Sequence, residues 1–214
     1  MSVLVHNFGA FAAGFRTTLA LTLASFAGAL AIGLVVASMR VSPVAPLRAA
    51  GTAYVETIRN IPLLVLLFLF FFGFPKIGIQ YPPFPSAVIV IGAYTGSFVA
   101  EAVRSGVNTV ASGQAEAARA IGLTFPQSLR LVVLPQALRA VVAPIGNIFI
   151  ALIKNTALAL TISVMELGFV STKLIADTSQ PVAVLLGVTA CYLALALTAG
   201  WLFSVLEHRV AMKR

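Results

Sequence analysis

Gln114 to Gln136, QAEAARAIGLTFPQSLRLVVLPQ, is the one long polar and charged segment in a chain that otherwise reads as membrane. It opens with Glu116-Ala117-Ala118, reaches Gly122 four residues later, and closes with Val132 and Leu134-Pro135. Ala115 to Ile121 is a run of strong helix formers. Gly122 can take the left-handed conformation that ends such a helix. Thr124 and Gln127 have the spacing of a capping box, and Pro126 falls in the first turn, where a missing N–H costs little. The segment is therefore expected to form two short helices joined at a sharp glycine turn.

Composition bounds the rest. The 214 residues are 60% hydrophobic and only 9% charged, with a mean hydropathy of +1.03. A soluble domain carries about 25% charged residues. An integral membrane protein of one domain, residues 1–214, is expected. The net charge of +8 does not point to nucleic acid, because the basic residues are scattered singly and not gathered into a stripe. One cysteine, Cys191, in an apolar run, allows neither an intrachain disulfide nor a metal cluster and reads as a small buried hydrophobe. His6 and His208 sit in the terminal segments and read as solvated or at the headgroups. No basic region followed by a short apolar core and cleavage site opens the chain, so no removable signal peptide is expected. No GxxxxGK[ST], HExxH or GxSxG occurs, so neither ATP hydrolysis, other catalysis nor a bound cofactor or metal is expected of this chain itself.

Five spans are read. Thr17 to Met39 carries no charge and is long enough to cross a bilayer core, with Ala20, Ala24 and Gly28 as a small-residue stripe for close helix approach. The second runs from Tyr54 to Gly73, with Glu56 and Arg59 on one face and Pro62 as a kink. A proline-rich loop, 73–85, leads to the third span, Ser86 to Arg104. There Gly92, Gly96 and Ala100 form a second stripe, and Tyr94, Thr95 and Ser97 put polar groups at mid-depth. The fourth span runs from Leu138 to Val164, bent at Pro144. A polar loop from Glu166 to Gln180 precedes the fifth, Pro181 to Leu206.

Ten basic residues fall on one side of this arrangement: Arg40, Arg48, Arg59, Arg104, Arg119, Arg130, Arg139, Arg209, Lys213 and Arg214. Arg16, Lys76 and Lys173 fall on the other. Excess Lys and Arg mark the cytoplasmic side. The N-terminus is expected outside, and the C-terminus and the polar segment inside.

The spacing Glu116-Ala117-Ala118, Gly122, Val132, Leu134-Pro135 resembles the E-A-A signature of permease subunits of ABC importers, with Val132 where the signature has Ile. Tyr54-Val55-Glu56 through Arg59 to Pro62-Leu63-Leu64 resembles the Y-V-E-x-x-R-G-T-P-L-L of polar amino-acid permeases, with Asn60 and Ile61 replacing Gly and Thr. Gly92-Ala93-Tyr94 through Glu101, Arg104, Ser105 and Gly106 resembles the A-Y-x-x-E-x-x-R-x-G of the same group. The resemblance implies an all-α integral membrane fold of the type I importer class, five transmembrane helices with short cytoplasmic coupling helices, in a bacterial inner membrane. It implies a second permease subunit, identical or paralogous, two cytoplasmic ATPase subunits that hold ATP and Mg, and an external solute-binding protein. It assigns ATPase coupling to Glu116, Ala117, Ala118, Gly122, Leu123, Thr124, Pro126, Leu134 and Pro135. The readings from other classes are an ATP-independent channel or membrane scaffold.

Lys154 is the residue most in need of an explanation. A lysine at membrane depth costs roughly 2.5–3.5 kcal/mol on insertion scales, so it normally pairs or lines a watery cavity. Three roles are open: contact with a substrate carboxylate, a bridge to Glu101 or Glu166, or a reach to the headgroups. Asn155 is expected to face protein or cavity, and Thr156 to bond back to its own helix or touch ligand. Glu101 reads as a gate or as the partner of Arg104. Lys154, Asn155, Thr156, Thr95, Ser97 and Glu101 are thus the candidate substrate pathway. Leu152 to Leu158 resembles the L-L-K-D-T-S-L of amino-acid permeases, with Asn155 in place of Asp and Ala157 in place of Ser. Loss of that carboxylate leans the cavity toward anionic or neutral amino acids, glutamate first and glutamine second, with methionine or another small solute as the alternative.

Overall fold

The computed structural model describes residues 2–210, without the side chains of residues 2, 3, 112, 115 and 125. Lys213 and Arg214 of the basic set lie outside the described residues. All regular structure among the described residues is helical. A short α1 (Ser2–His6) leads into α2 (Phe8–Arg40), and α3 (Ala45–Asn60) is followed by α4 (Leu63–Phe68), which continues through a π-turn and a 3-10 turn to Ile77. Then come α5 (Pro83–Asn108), α6 (Ser112–Ala120), α7 (Phe125–Ser128), α8 (Leu134–Asn155), α9 (Leu167–Thr178) and α10 (Pro181–Val210).

Four stretches are each long and apolar enough to cross a bilayer: Phe8–Arg40, Pro83–Asn108, Pro126–Ile162 and Pro181–Val210. The second expected span differs. Ala45–Asn60 and Leu63–Ile77 meet at 102°, a break where a kink was expected. Ile61 precedes Pro62 and is driven out of the helical region, to ψ 131°. Pro62 is extended as well, at ψ 134°, and the two residues together turn the chain through a corner. It leaves α3 as an amphipathic helix whose exposed Glu56 and Arg59 need not enter the apolar layer.

The main packing contact is α2 against α5. Gly92 and Gly96 sit there as the spacing predicts: a Cβ at Gly96 would lie 3.0 Å from Cγ2 of Ile32, and one at Gly92 3.2 Å from the Ser25 carbonyl oxygen. The facing stripe on α2 is not Ala20, Ala24 and Gly28. Ala20 and Ala24 are exposed, and nothing approaches within 4 Å of a Cβ built on Gly28. Thr18, Thr22, Ser25, Ala29 and Gly33 pack inward instead. Small residues occur on both faces of α2, and size alone does not tell which face meets protein.

Leu21, Leu67, Ile91 and Leu152 join α2, α4, α5 and α8 into one core. Phe11, Ile153, Leu167, Leu174 and Val188 join the start of α2 to α8, α9 and α10. At the opposite end, Val36, Val55 and Ala100 close α2, α3 and α5.

The segment expected as a polar loop after Glu166 is α9. Leu167, Ser171 and Leu174 are buried, while Thr172, Lys173 and Asp177 are exposed, so the charged residues lie on one helix face. Glu166 caps this helix: its Oε1 accepts from the Phe169 N–H at 2.9 Å. Its Oε2 accepts from the Tyr192 hydroxyl of α10 at 2.5 Å and lies 3.5 Å from the Thr18 hydroxyl of α2. Thr18 Oγ1 in turn accepts from the Leu167 N–H at 3.1 Å. Glu166 is wholly buried. Helix α8 starts before Leu138, passes Pro144 without a break, and ends in a 3-10 turn, Thr156–Ile162.

Candidate functional site

Helix α6 ends as its sequence predicts. Gly122 takes φ +88°, where a side chain would be strained. The Gly122 N–H donates to the Arg119 carbonyl at 2.9 Å, and the Leu123 N–H to the Ala118 carbonyl at 3.1 Å. These two bonds form the Schellman closure of a helix end. The Thr124 N–H then donates to Oε1 of Gln127 at 2.8 Å, the reach-back half of a capping box, and the Thr124 hydroxyl donates to the same oxygen at 2.9 Å. Both turns between α6 and α7 are thus set by local hydrogen bonds.

Ala118 is buried, and α6 packs back on the π-turn Leu129–Val133. Glu116, Ala117, Gly122, Thr124, Pro126 and Leu134 are exposed, and Leu123 and Pro135 are half-buried. The segment is a knob of exposed side chains. Among the described side chains its most exposed apolar residue is Ile121, 80% exposed, which the sequence reading passed over. An isoleucine at a helix end just before a turn glycine was the available signal.

Beside the knob, Glu101 ties α2, α3 and α5 together. One carboxylate oxygen takes Arg40, and the other takes Arg104 at 2.5 Å. Arg59 stands 3.9 Å from the first, with its guanidinium 4.9 Å above the Phe98 ring. Glu56 and Arg59, on one face of α3, form no ion pair with each other among the described residues, and the carboxylate nearest Arg59 is that of Glu101. Arg40 keeps only 10% of its side chain exposed, and the Nε–H groups of Arg40 and Arg104 are buried without a partner. A cavity of about 400 Å³ opens here, lined by Arg40, Glu56, Arg59, Asn60, Phe98 and Glu101 among others. Glu101→Gln is expected to lower stability by roughly 2–3 kcal/mol. That is below the 3–5 kcal/mol of a fully buried pair, since solvent screens part of the charge. Thermal unfolding in detergent checks it, and Arg40→Met in the same chain should recover part of the loss.

The remaining pathway candidates separate. Thr95 and Ser97 are buried inside the bundle, with the Ser97 hydroxyl donating to the Tyr94 carbonyl at 2.6 Å. Thr156 is buried and donates to the Ile153 carbonyl at 2.6 Å, the ordinary helix back-bond. Asn155 is half-buried, and Lys154 is exposed. The bridge from Lys154 to Glu101 or Glu166 is not formed. Glu101 is held by arginines, Glu166 by hydroxyl and backbone donors, and no ion pair of Lys154 occurs among the described residues. Asn147, which the sequence reading did not single out, is exposed on the same helix.

Residues 29–212 match the model of the family described as "Binding-protein-dependent transport system inner membrane component". The chain belongs to this family. Its relatives include the "Probable glutamine ABC transporter permease protein GlnM" of Bacillus subtilis, 37% identical over 98% of this chain and 97% of that one. The "Glutamate transport system permease protein GluC" of Corynebacterium glutamicum is 39% identical over 94% of this chain and 93% of that one. A chain of the crystal structure of an amino acid ABC transporter with histidines superimposes with a TM-score of 0.91, at 31% identity over 96% of each chain. The inward-facing MetNI methionine ABC transporter shares the fold, with a TM-score of 0.81 at 23% identity over 96% of this chain and 98% of that one. The fold is that of an importer permease of the type I class, the fold that the sequence led us to expect.

Proposed function

We propose that this chain, as a single permease domain, forms one half of a permease dimer in an ATP-driven importer of polar amino acids, glutamate or glutamine first. The observation that carries this reading is Lys154: an exposed lysine without an ion-pair partner, on a helix that crosses the bilayer. A cation in that position is stabilised by water, by another protein or by a reach to the headgroups. A face of α8 turned to a second copy, with an aqueous path between, supplies the first two. The named relatives that act on glutamine and glutamate support the substrate class. So does Asn155 next to Lys154, which leaves the lysine charge without an adjacent carboxylate.

Two ATPase subunits, which would hold ATP and Mg, dock on the knob from the cytoplasmic side. Their closure draws the two knobs together and rocks the spans around the path. A solute-binding protein delivers the amino acid from outside, where the N-terminus lies. The second subunit is identical or a paralogue. In this reading the chain itself hydrolyses nothing.

Co-expression with the neighbouring subunits tests this. An ATPase should copurify and be stimulated by loaded receptor, and Lys154→Ala should cut glutamate uptake by roughly tenfold to a hundredfold with assembly intact. Passive flux without ATP dependence would make the protein a channel and overturn the proposal.

A further inference from the structure

Along α8 from Ala140 to Asn155, the exposed positions are Ala140, Pro144, Asn147, Ala151 and Lys154. Their spacing of four, three, four and three places them on one face. Asn147 and Lys154 are the polar side chains on it, and neither has a hydrogen-bond or ion-pair partner among the described residues. Gln136, Thr156 and Thr161 on this span bond back to its own backbone, at the Val132, Ile153 and Leu158 carbonyls. Asn155, beside Lys154, is half-buried and has no hydrogen-bond partner among the described residues. The Asn147 amide, with two donors and one acceptor, is left open toward the same space as the lysine.

Asn147 and Lys154 are two turns apart, about 10 Å along the axis. Helical side chains lean toward the N-terminus, so the long lysine chain extends back over Ala151 toward Asn147. Ala151 between them presents only a methyl group on this face, with a cation at one end and an amide at the other. Their separation suits a short amino acid with polar groups at both ends.

We infer that Asn147 is a second substrate-contacting residue and a specificity determinant. It hydrogen-bonds the side-chain amide or carboxyl of the substrate while Lys154 holds the α-carboxylate. The assignment rests on the reading above, in which this face of α8 lines the path. An amide can donate to a carboxylate or accept from an amide, so Asn147 accommodates both glutamate and glutamine and adds no charge of its own.

The test uses the complete complex in proteoliposomes, with Cys191→Ala and Ala151→Cys in the permease and a hydrophilic, membrane-impermeant thiol reagent. The introduced thiol should react, and glutamine should protect it. If the thiol is inert, this face does not line the path, and the placement of the path along α8 falls with the inference. If it reacts, Asn147→Ala should raise the glutamine concentration for half-protection by about tenfold. Asn147→Asp should weaken protection by glutamate more than protection by glutamine, because two carboxylates would then face each other. Unchanged half-protection in Asn147→Ala, or equal losses for both ligands in Asn147→Asp, would overturn the role of Asn147 and leave the path in place. Should Asn147→Asp fail to assemble, Asn147→Ala decides alone.

Discussion

Gly122→Val is expected to reduce ATP-driven transport by about 5- to 150-fold while the spans stay folded. A β-branched residue at φ +88° costs about 1–3 kcal/mol. That strain falls on the Schellman closure at Arg119 and Ala118 and on the aim of α7. Its full conversion into loss of the docking-competent shape gives the stated range. No Cβ clash adds to it, since nothing lies within 4 Å of a Cβ at Gly122, so the effect is conformational and local. The measurement is receptor-stimulated ATPase and uptake in vesicles, alongside the thermal unfolding of the isolated permease. Gly122→Asn, which tolerates the left-handed region, should retain most activity. Normal transport by Gly122→Val would remove the knob from the coupling pathway.

Glu166→Ala carries the largest expected loss of stability. The wild-type carboxylate caps α9 through the Phe169 N–H and takes the Tyr192 hydroxyl, all without solvent. Alanine removes the cap, typically about 1 kcal/mol, and strands a buried hydroxyl at about 1–3 kcal/mol, with a cavity added. A total of roughly 3–5 kcal/mol corresponds to a drop of about 10 °C in unfolding temperature for a chain of this size. Glu166→Gln keeps an acceptor for the Phe169 N–H and should lose less than half as much. Equal unfolding temperatures for wild type and Glu166→Ala would show that α9 is held by its apolar face alone.

The knob was legible because it is made of local chemistry. Gly122, Thr124 and Gln127 act on neighbours within a few residues, and the structure places each as its spacing predicts. The Gly92–Gly96 stripe was legible for a similar reason, since two glycines four apart share one helix face. On α2 the same rule chose Ala20, Ala24 and Gly28, but small residues lie on more than one face there, and only contact with α5 selects among them. The stretch after Glu166 reads as loop in the sequence because Thr172, Lys173 and Asp177 stand out in its composition. Its buried face has meaning only against Phe11 and Val188.

By itself, then, the chain's order of residues determined an all-helical membrane protein, its basic end and the turn geometry of its knob, because hydrophobicity, charge and backbone preference act residue by residue. The tertiary structure alone decided the partners of its charges. It gathered Arg40, Arg59 and Arg104 from three helices around Glu101 and enclosed Glu166 between α2 and α10. It left Lys154 and Asn147 open on one face of α8. Pairing at a distance depends on which helix faces meet, and that choice is made by packing across the whole bundle.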